Sequence, residues 1–335
     1  MKRGQSGLSC VIGVNKPCGM SSHDVVNACR RIFSEKRIGH AGTLDPLASG
    51  VLPVLVGPAT RLDRYLTGHD KTYIARVAFG SATATDDAEG AVIKQGPLIP
   101  ELYEESFACD ILKGFLGPQK QIPPAYSAIK VNGVRAYAAS RKGNVIDLAP
   151  RDIDILAAEL IDIEDIQGEL AWCIQLTVSK GTYIRAIARD IGRAVGVPAH
   201  LAGLARTRCG MLDLVDCVSL EALAEVREAV ALDPIKLLGF PIGFVAPACH
   251  SLLDNGNMID GDSLTLYDYP SGAGEMDPCA CTSGLRPVTS PSEDGGLACI
   301  VSDASLRAIY RYESAYDRWK PDCVFSTGVS RGHIL

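Results

Sequence analysis

The sequence has no run of about 18 apolar residues, the length that an α-helix needs to cross a bilayer. It also lacks the combination of a basic segment, an apolar stretch and a cleavage site that marks a secretory signal. These absences argue against a membrane-spanning or a secreted protein. We therefore expect a cytoplasmic protein that makes no contact with a membrane.

Motifs that bind cofactors are also missing, since the sequence has no phosphate-binding loop and no dinucleotide-binding fingerprint. The twelve cysteines are scattered, and most lie in apolar stretches, which favours reduced, packed thiols over a disulfide framework. One close pair, Cys279 and Cys281, has C-x-C spacing, but no second pair or histidine follows at zinc-finger spacing. We therefore predict neither a metal site nor a cofactor.

Positive charge is scarce overall but unevenly distributed. The 335 residues carry a net charge of −6, which by itself argues against a nucleic-acid partner. Residues 1–212, however, hold 25 Lys and Arg against 21 Asp and Glu, whereas residues 213–335 hold 8 against 18. Any contact with RNA is therefore expected in the first two thirds of the chain.

The apolar pattern alternates irregularly between strands and helices, which favours an α+β fold over a doubly wound one. Ser22 is a candidate cap for one helix, and Thr182 for a second helix that would end at Gly192. Period-two alternation and short apolar runs predict strands at residues 8–14, 51–56, 71–79 and 170–178.

After about residue 240 the composition changes, and residues 253–297 are dense in Gly, Pro, Ser and Asp. The remaining apolar pieces there are short and strand-like. We predict a large domain over residues 1–240 and a small β domain over residues 241–335 that carries a long insertion.

Three polar residues are candidates for chemistry. Asp45 precedes a proline in a glycine-rich loop that could present its carboxylate rigidly, although Asp-Pro often merely starts a turn. Arg185 falls in the first turn of a predicted helix, where the dipole disfavours a cation, so a carboxylate or an RNA phosphate should compensate it. Tyr73 lies on a largely apolar strand face, where it is either core or a platform for a nucleobase.

Taken together, these segments resemble the TruB family, the bacterial tRNA pseudouridine-55 synthases. Seven stretches follow the order of the family across roughly residues 10–215, which makes the resemblance specific. They are NKPCGMSSHD (15–24), GHAGTLDPLASGVLPV (39–54), KTYIARVAFG (71–80), TDDAEG (85–90), PPAYSAIKVNGVRAYAASRKG (123–143), SKGTYIRAIARDIG (179–192) and AHLAGLARTRCG (199–210).

The resemblance implies a pseudouridine synthase fold, with a mixed, largely antiparallel central sheet flanked by helices and a small PUA-like C-terminal β domain. Asp45 would be the catalytic nucleophile, Arg185 would pair with it, and Tyr73 would lie against the target base. Asp87 aligns with an acidic position of the family. The C-terminal domain is acidic and interrupted here, so its resemblance does not extend to an expectation of RNA binding.

Four further residues would bind the substrate. His40 would occupy the place of the extruded uridine, while Tyr183 and Leu204 would line the substrate pocket. Lys16 is the fourth member of this set, and together with Pro17 it would also support the catalytic loop.

The implied activity is that of an isomerase, which converts uridine to pseudouridine at position 55 in the T arm of tRNA. The uridine would be flipped out of its stack, at a cost of a few kcal/mol, before the carboxylate acts on it. The implied partner is tRNA alone, bound by a monomer without a protein partner. Two alternatives are an RNA-binding or tRNA-folding protein without catalysis and a synthase that works inside a guide-RNA complex. Which atom of the nucleotide Asp45 attacks stays open.

Overall fold

The structure is a computed structural model that describes residues 6–126, 130–131, 134–135, 148–166, 168–268, 286–288, 293–302 and 304–332. The helices of this part are α1 (Ser22–Ile32), α2 (Asp63–Leu66), α3 (Glu105–Lys113), α4 (Ile184–Val195), α5 (Leu220–Val226), α6 (Pro234–Leu238) and α7 (His250–Asp254). None of these helices is long and apolar enough to cross a membrane.

The strands fall into a first group before residue 240 and a second group after it. The first group is β1 (Cys10–Lys16), β2 (Ile38–His40), β3 (Ala48–Val56), β4 (Lys71–Phe79), β5 (Ser81–Thr83), β6 (Val92–Gln95), β7 (Gly117–Gln121), β8 (Lys130–Val131), β9 (Val134–Arg135), β10 (Arg151–Ile166), β11 (Glu169–Val178), β12 (Ala199–Cys209) and β13 (Leu212–Asp213). The second group is β14 (Ile242–Val245), β15 (Ile259–Asp260), β16 (Leu264–Asp268), β17 (Arg286–Pro287), β18 (Leu297–Ser302), β19 (Ser305–Glu313) and β20 (Arg318–Ser330).

A nine-stranded sheet forms the centre of the first part of the chain. Its main path runs β1-β3-β12-β4-β11-β10-β7, and β2 and β13 pair with β3 and β12 at its margins. Every pairing is antiparallel except that of β3 with β12, which is parallel. The prediction of an α+β fold with a mixed, largely antiparallel central sheet is therefore confirmed.

Strand β4 coincides with the predicted strand at residues 71–79. Its alternate side chains Tyr73, Ala75, Val77 and Phe79 are buried in one cluster with Trp172 of β11. The indole Nε1 of Trp172 donates a hydrogen bond of 2.9 Å to a backbone carbonyl, which satisfies its polar atom inside the core. Alternation with period two thus identified the buried face of this strand correctly.

Both predicted helix caps are wrong by one residue. Helix α1 is capped by Ser21, because its side chain and that of Asp24 satisfy each other's backbone N–H groups in a capping box. Ser22 is instead buried, and its hydroxyl bonds both the N–H and the carbonyl of Leu44, at 2.8 and 2.9 Å. This pair of bonds ties the start of α1 to the loop that precedes β3.

Helix α4 begins after Tyr183, since the hydroxyl of Thr182 donates to Ser179 rather than capping the helix. The helix also continues past Gly192 and ends at Gly196, whose φ of 75° is typical of a terminating glycine. A Cβ atom at Gly192 would lie 2.7 Å from the Cβ atom of Ala199. Gly192 therefore allows the helix to approach β12 closely, which is a different use of glycine from termination.

The second group of strands forms a seven-stranded sheet in the order β15-β20-β19-β18-β14-β16-β17. This confirms the expected small C-terminal β unit. Strands β15 and β16 lie within the Gly-, Pro-, Ser- and Asp-rich residues 253–297, and the long insertion itself stays a prediction. Residues 269–285 of that segment, including the cysteine pair at 279 and 281, lie outside the described residues.

The two sheets share a hydrophobic cluster. Leu55 and Leu62 from the first part are fully buried in it together with Ile309 and Phe325 from the C-terminal sheet. The C-terminal sheet therefore packs directly against the segment that leads out of β3. The division at residue 240 stays a prediction, and beside the clusters that belong to one part alone, this cluster joins the two parts.

Because this cluster is shared, Phe325→Ala should weaken both sheets. We expect a loss of about 3–5 kcal/mol in the free energy of unfolding, which is typical for a buried phenylalanine. Native-state hydrogen exchange should show reduced protection in β3 as well as in β19. Val215, which is 91% exposed, offers a control, since Val215→Ala should leave both strands unchanged. Loss of protection confined to β19 would contradict the shared core.

Gly50 and Gly117 form a matched pair for testing how tightly β3 and β12 approach each other. Both have a positive φ, but a Cβ atom at Gly50 would lie 2.2 Å from the carbonyl oxygen of Arg206, whereas one at Gly117 would meet nothing within 4 Å. Gly117→Ala should cost about 1–2 kcal/mol from backbone strain alone. Gly50→Ala should cost about 3 kcal/mol or more in urea unfolding, and equal losses would contradict the close approach.

Candidate active site

Asp45 lies in the loop between β2 and β3, and its side chain is 42% exposed. Bonds on both sides hold this loop. The N–H of Gly19 donates to the carbonyl of Pro46 at 2.8 Å, and the N–H of Ala48 donates to the carbonyl of Asp45 at 3.1 Å. With the two bonds between Ser22 and Leu44, these contacts fix the backbone around the carboxylate while its oxygens stay accessible.

Lys16 lies beneath this loop and is fully buried. Its ammonium group donates to the carbonyls of Pro17 and Met20, at 2.9 and 2.5 Å, and lies 3.5 Å from the carbonyl of Pro46. Burial lowers the pKa of Lys16, although Asp45 opposes part of that shift. Lys16 therefore supports the loop from below. Its expected place among the substrate-binding residues stays a prediction, and the contacts described here are those of its ammonium group with backbone carbonyls.

Arg185 connects two carboxylates from distant parts of the chain. Its Nε atom lies 3.0 Å from Oδ2 of Asp45, and its Nη1 atom lies 3.3 Å from Oδ2 of Asp87. The guanidinium group also donates to the carbonyls of Thr85 and Tyr126, each at 3.2 Å. The sequence indicated that Arg185, a cation in the first turn of a helix, needs a negative charge nearby. Asp45 and Asp87 both supply one.

The contact between Arg185 and Asp45 is a close ion pair without hydrogen-bond geometry, since Nε of Arg185 has no hydrogen-bond partner in the described part of the chain. Arg185 is only 7% exposed. Arg185 is therefore a rigid, buried cation beside the partly exposed carboxylate of Asp45, and it makes no hydrogen bond to that carboxylate. Such a carboxylate can turn toward a molecule in the cavity without breaking a hydrogen bond to the arginine.

Asp87 is held far more firmly than Asp45. It is 3% exposed, and its Oδ1 atom accepts hydrogen bonds from the hydroxyl of Thr85 and from the N–H of Glu89, the latter at 3.1 Å. The preceding residue, Asp86, pairs with Arg189 at 3.1 Å, and burial raises the pKa of Asp86. The two neighbouring acids therefore bind two arginines that lie one turn apart on α4.

Tyr73 projects from β4 and is 7% exposed. Burial raises its pKa, and the nearby Arg206 offsets only part of that rise. The phenol is therefore neutral at physiological pH.

Arg206, on β12, is a site residue that sequence reasoning missed. It is 1% exposed, and its guanidinium group donates to the carbonyls of Val51 and Gly42, at 2.7 and 2.9 Å. Lys71 lies beside it, and both burial and the charge of Arg206 lower the pKa of Lys71. Nothing in the sequence of β12 distinguished Arg206 from Arg208, two residues further along the strand.

A cavity of about 840 Å³ lies beside these residues. Asp45, Tyr73, Arg185, Tyr183 and Leu204, predicted separately from the sequence, all line it. Tyr126 also lines the cavity and is the last described residue before a gap. Most of the stretch at residues 123–143 that resembles the family lies outside the described residues. The structure thus brings five of the seven predicted site residues together.

Local contacts explain how two of these residues reach the cavity. The side-chain amide of Gln121 accepts from the N–H of Tyr183 at 2.9 Å and donates to its carbonyl at 3.1 Å, which fixes the start of α4. Leu204 pairs with Ala48 on β3 and with Ala75 on β4, so it lies in the middle of the sheet. The hydrogen bonds to Gln121 therefore fix the backbone of Tyr183, and the pairing of β12 with its neighbouring strands fixes that of Leu204.

His40 differs from the others, because it is not among the described residues that line the cavity. It ends β2 and is paired with Val54 of β3. Burial lowers the pKa of His40, and its Nδ1 atom is buried without a hydrogen-bond partner in the described part. His40 is thus a neutral, partly buried side chain beside the loop of Asp45.

Among the described residues, no group of three or more His, Cys, Asp or Glu side chains is arranged to hold a metal ion.

Two family models match the chain. The N-terminal domain of the TruB family pseudouridylate synthases matches residues 30–184, and the tRNA pseudouridylate synthase B C-terminal domain matches residues 185–235. Together they cover the loop of Asp45, the acidic pair at residues 86–87, helix α4 and strand β12.

Curated proteins are similar over most of the chain. A tRNA pseudouridine synthase B from Deinococcus radiodurans is 42% identical over 69% of this chain and 82% of its own length. Proteins of the same name from Mycobacterium leprae and Paenarthrobacter aurescens are 45% and 35% identical, over 90% and 96% of this chain and 87% and 96% of their own lengths.

Two solved structures share the fold at low sequence identity. A structure of an H/ACA ribonucleoprotein bound to a substrate RNA containing 2′-deoxyuridine gives a TM-score of 0.64 at 21% identity, covering 94% of this chain and 84% of the other. A Cbf5–Nop10–Gar1 complex gives 0.64 at 22% identity, covering 97% and 87%. With sequence identity of 35–45% to relatives over their greater length, the chain belongs to the TruB family of pseudouridylate synthases.

Proposed function

We propose that this chain isomerises uridine to pseudouridine in tRNA, at position 55 of the T arm, with Asp45 as the nucleophile. The names of its relatives supply the substrate class. The observation that carries the residue assignment is the position of Arg185 between Asp45 and Asp87 at the wall of a cavity that Tyr73 also lines.

The reaction requires one bond to be exchanged for another on the same nucleotide. The N1–C1′ bond breaks, the detached base turns, the C5–C1′ bond forms, the proton on C5 is released and N1 takes up a proton. The carboxylate of Asp45 acts as a nucleophile if it adds to C1′ or to C6, and as a base if it removes a proton to give a glycal. Each route needs an accessible carboxylate that a fixed cation orients, which is the arrangement of Asp45 and Arg185.

Base flipping is the second part of the proposal. A uridine stacked within the T arm hides C1′ and C6, so it must leave the stack, at a cost of a few kcal/mol. The cavity of about 840 Å³ has room for one nucleotide, and its walls include the aromatic ring of Tyr73 and the apolar side chain of Leu204. Stacking on the ring offsets part of that cost. His40, just outside the cavity, would fill the gap that the uridine leaves.

The charges around the cavity favour an anionic ligand. Five cationic side chains and two carboxylates line it, and all of them come from the first two thirds of the chain. They are Arg64, Lys71, Lys180, Arg185 and Arg206 against Asp45 and Asp63. A positive excess within a concave surface attracts RNA phosphates. One chain supplies all of these groups, so we propose that a monomer acts on tRNA, in the cytoplasm.

Replacing Asp45 by asparagine removes the nucleophile but keeps the volume. With tRNA that carries tritium at uridine C5, Asp45→Asn should release tritium at least about a thousand-fold more slowly than the parent, with nearly unchanged tRNA affinity. Asp63→Asn, which changes the other carboxylate of the cavity, should retain most of the activity. Equal release from Asp45→Asn and parent would remove Asp45 from the mechanism. Binding without release by the parent would favour an RNA-binding protein without catalysis.

Asp87→Asn should test the second carboxylate beside Arg185. Its Oδ1 atom could still accept from Thr85 and Glu89, but an amide N–H group would replace Oδ2 and face Nη1 of Arg185, donor against donor.

We expect this Asp87→Asn variant to lower kcat at least about ten-fold, with KM for tRNA changed less than about three-fold. The matched control is Asp190→Asn, because Asp190 pairs with Arg189 and Arg193 on the same helix. The control should keep the parent's kcat. A similar fall in both variants, or an effect on KM alone, would contradict a role for Asp87 through Arg185.

A further inference from the structure

The segment Gly57–Leu66 connects the cavity to the C-terminal sheet. It consists of a short 3-10 helix, Gly57–Leu62, followed by α2. Two of its residues, Asp63 and Arg64, line the cavity. It also contacts β20, where Arg61 donates to the carbonyl of Val324 and lies over the ring of Phe325, 5.9 Å from its centre. One face of this segment therefore borders the candidate active site and the other borders the C-terminal sheet.

A cluster of four polar residues joins the two parts at this place. We call Arg64, Tyr65, Arg311 and Asp322 the Asp322 cluster. The carboxylate of Asp322 lies 2.5 Å from Nη2 of Arg64 and 3.2 Å from Nη2 of Arg311, and it accepts a hydrogen bond from the hydroxyl of Tyr65. The backbone carbonyl of Asp322 accepts a further bond of 2.7 Å from Arg64. One residue of β20 thus holds two consecutive residues of α2.

Within the Asp322 cluster, only one end of Arg64 is used. All of its hydrogen bonds leave from Nη2, so its Nε and Nη1 atoms have no partner in the described part of the chain. The side chain is 54% exposed at the wall of the cavity. A guanidinium group that is held at one nitrogen and has free N–H groups on the other two can donate hydrogen bonds to a phosphate oxygen.

The charge balance of the Asp322 cluster also favours an anion. Two arginines share one carboxylate, so the cluster keeps a positive excess. Burial alone would raise the pKa of Asp322, but the hydrogen bonds from Tyr65 and Arg311 and the charges of Arg64 and Arg311 leave it lowered. Asp322 therefore remains a charged anchor at neutral pH.

We propose that Asp322 is a positioning residue, which holds Arg64 at the mouth of the cavity so that its free N–H groups bind an RNA phosphate close to the flipped uridine. This inference rests on the proposed function, because it takes RNA as the substrate. It assigns to the acidic C-terminal sheet an indirect part in RNA binding, through one carboxylate that orients a cation of the larger part of the chain.

The direction in which tRNA affinity changes when Asp322 is replaced distinguishes a positioning role from simple charge repulsion. Removing a negative charge from a surface that binds RNA ordinarily strengthens binding, because repulsion of phosphate falls. A positioning role has the opposite consequence, since Arg64 would lose its fixed geometry. We therefore expect Asp322→Ala to weaken tRNA binding and to raise KM about 5- to 10-fold, while kcat stays within about two-fold of the parent.

Arg64→Ala should give the same rise in KM and should reduce the slope of log affinity against log salt by about one phosphate contact. The double variant should bind no more weakly than Arg64→Ala alone, because Asp322 acts through Arg64. Asp260→Ala is the matched control. Asp260 pairs at 3.1 Å with Arg318, which lies on β20 like Asp322. Asp260 is not among the described residues that line the cavity, so KM should not rise.

Steady-state tritium release and filter binding over a range of salt concentrations provide the measurements, with melting temperatures recorded for each variant. If Asp322→Ala unfolds at the assay temperature, Asp322→Asn replaces it, and the same rise in KM is expected. A parent without tritium release overturns the proposed function itself. An active parent with Asp322→Ala binding as tightly as the parent, or more tightly, overturns this inference alone, and so does additive weakening in the double variant.

Discussion

The arrangement of the site depends on one buried guanidinium group. Arg185 is placed by the first turn of α4, and it faces Asp45 from the loop before β3 and Asp87 from the loop after β5. These three pieces of chain have no continuous backbone pairing that would bring their side chains together. The ion pairs therefore join the loop of Asp45, the loop of Asp87 and α4 beside one cavity.

This dependence explains why the two acids have different environments. Asp87 is buried and receives hydrogen bonds from its own loop, so it serves as a fixed counter-charge to Arg185. Asp45 is partly exposed, and its contact with the arginine is not a directional bond. Arg185 and Asp87 thus form a rigid pair, and Arg185 can orient the looser carboxylate of Asp45 without immobilising it, which fits the role proposed for Asp45.

Much of the fold could be predicted from the sequence where a single physical signal dominated. Alternation identified β4 and its buried face, and the helix dipole indicated that Arg185 needed an anion nearby. The caps could not be predicted, because Ser21 and Ser22 are both suitable and only the contact with Leu44 distinguishes them. Gly192 was misinterpreted for a similar reason, since close packing and helix termination select the same residue type.

The parts of the site that escaped prediction are those that depend on long-range contacts. No local pattern indicates that Asp87 meets Arg185, or that Arg206 lies in the cavity wall, because both contacts join segments far apart in the chain. The resemblance to a family supplied roles that residue types alone could not. It did not indicate how deeply Lys16 is buried, which only the packing of the loop against β1 and α1 determines.

The burial of Arg206 has a consequence for the stability of the fold. Its guanidinium group donates to carbonyls, and within the described part of the chain no carboxylate pairs with it. Holding an uncompensated charge out of water raises the free energy of the folded state, and an anion in the cavity would relieve that penalty. Folding and occupancy are then thermodynamically linked, so the molecule is most resistant to unfolding when the cavity is filled.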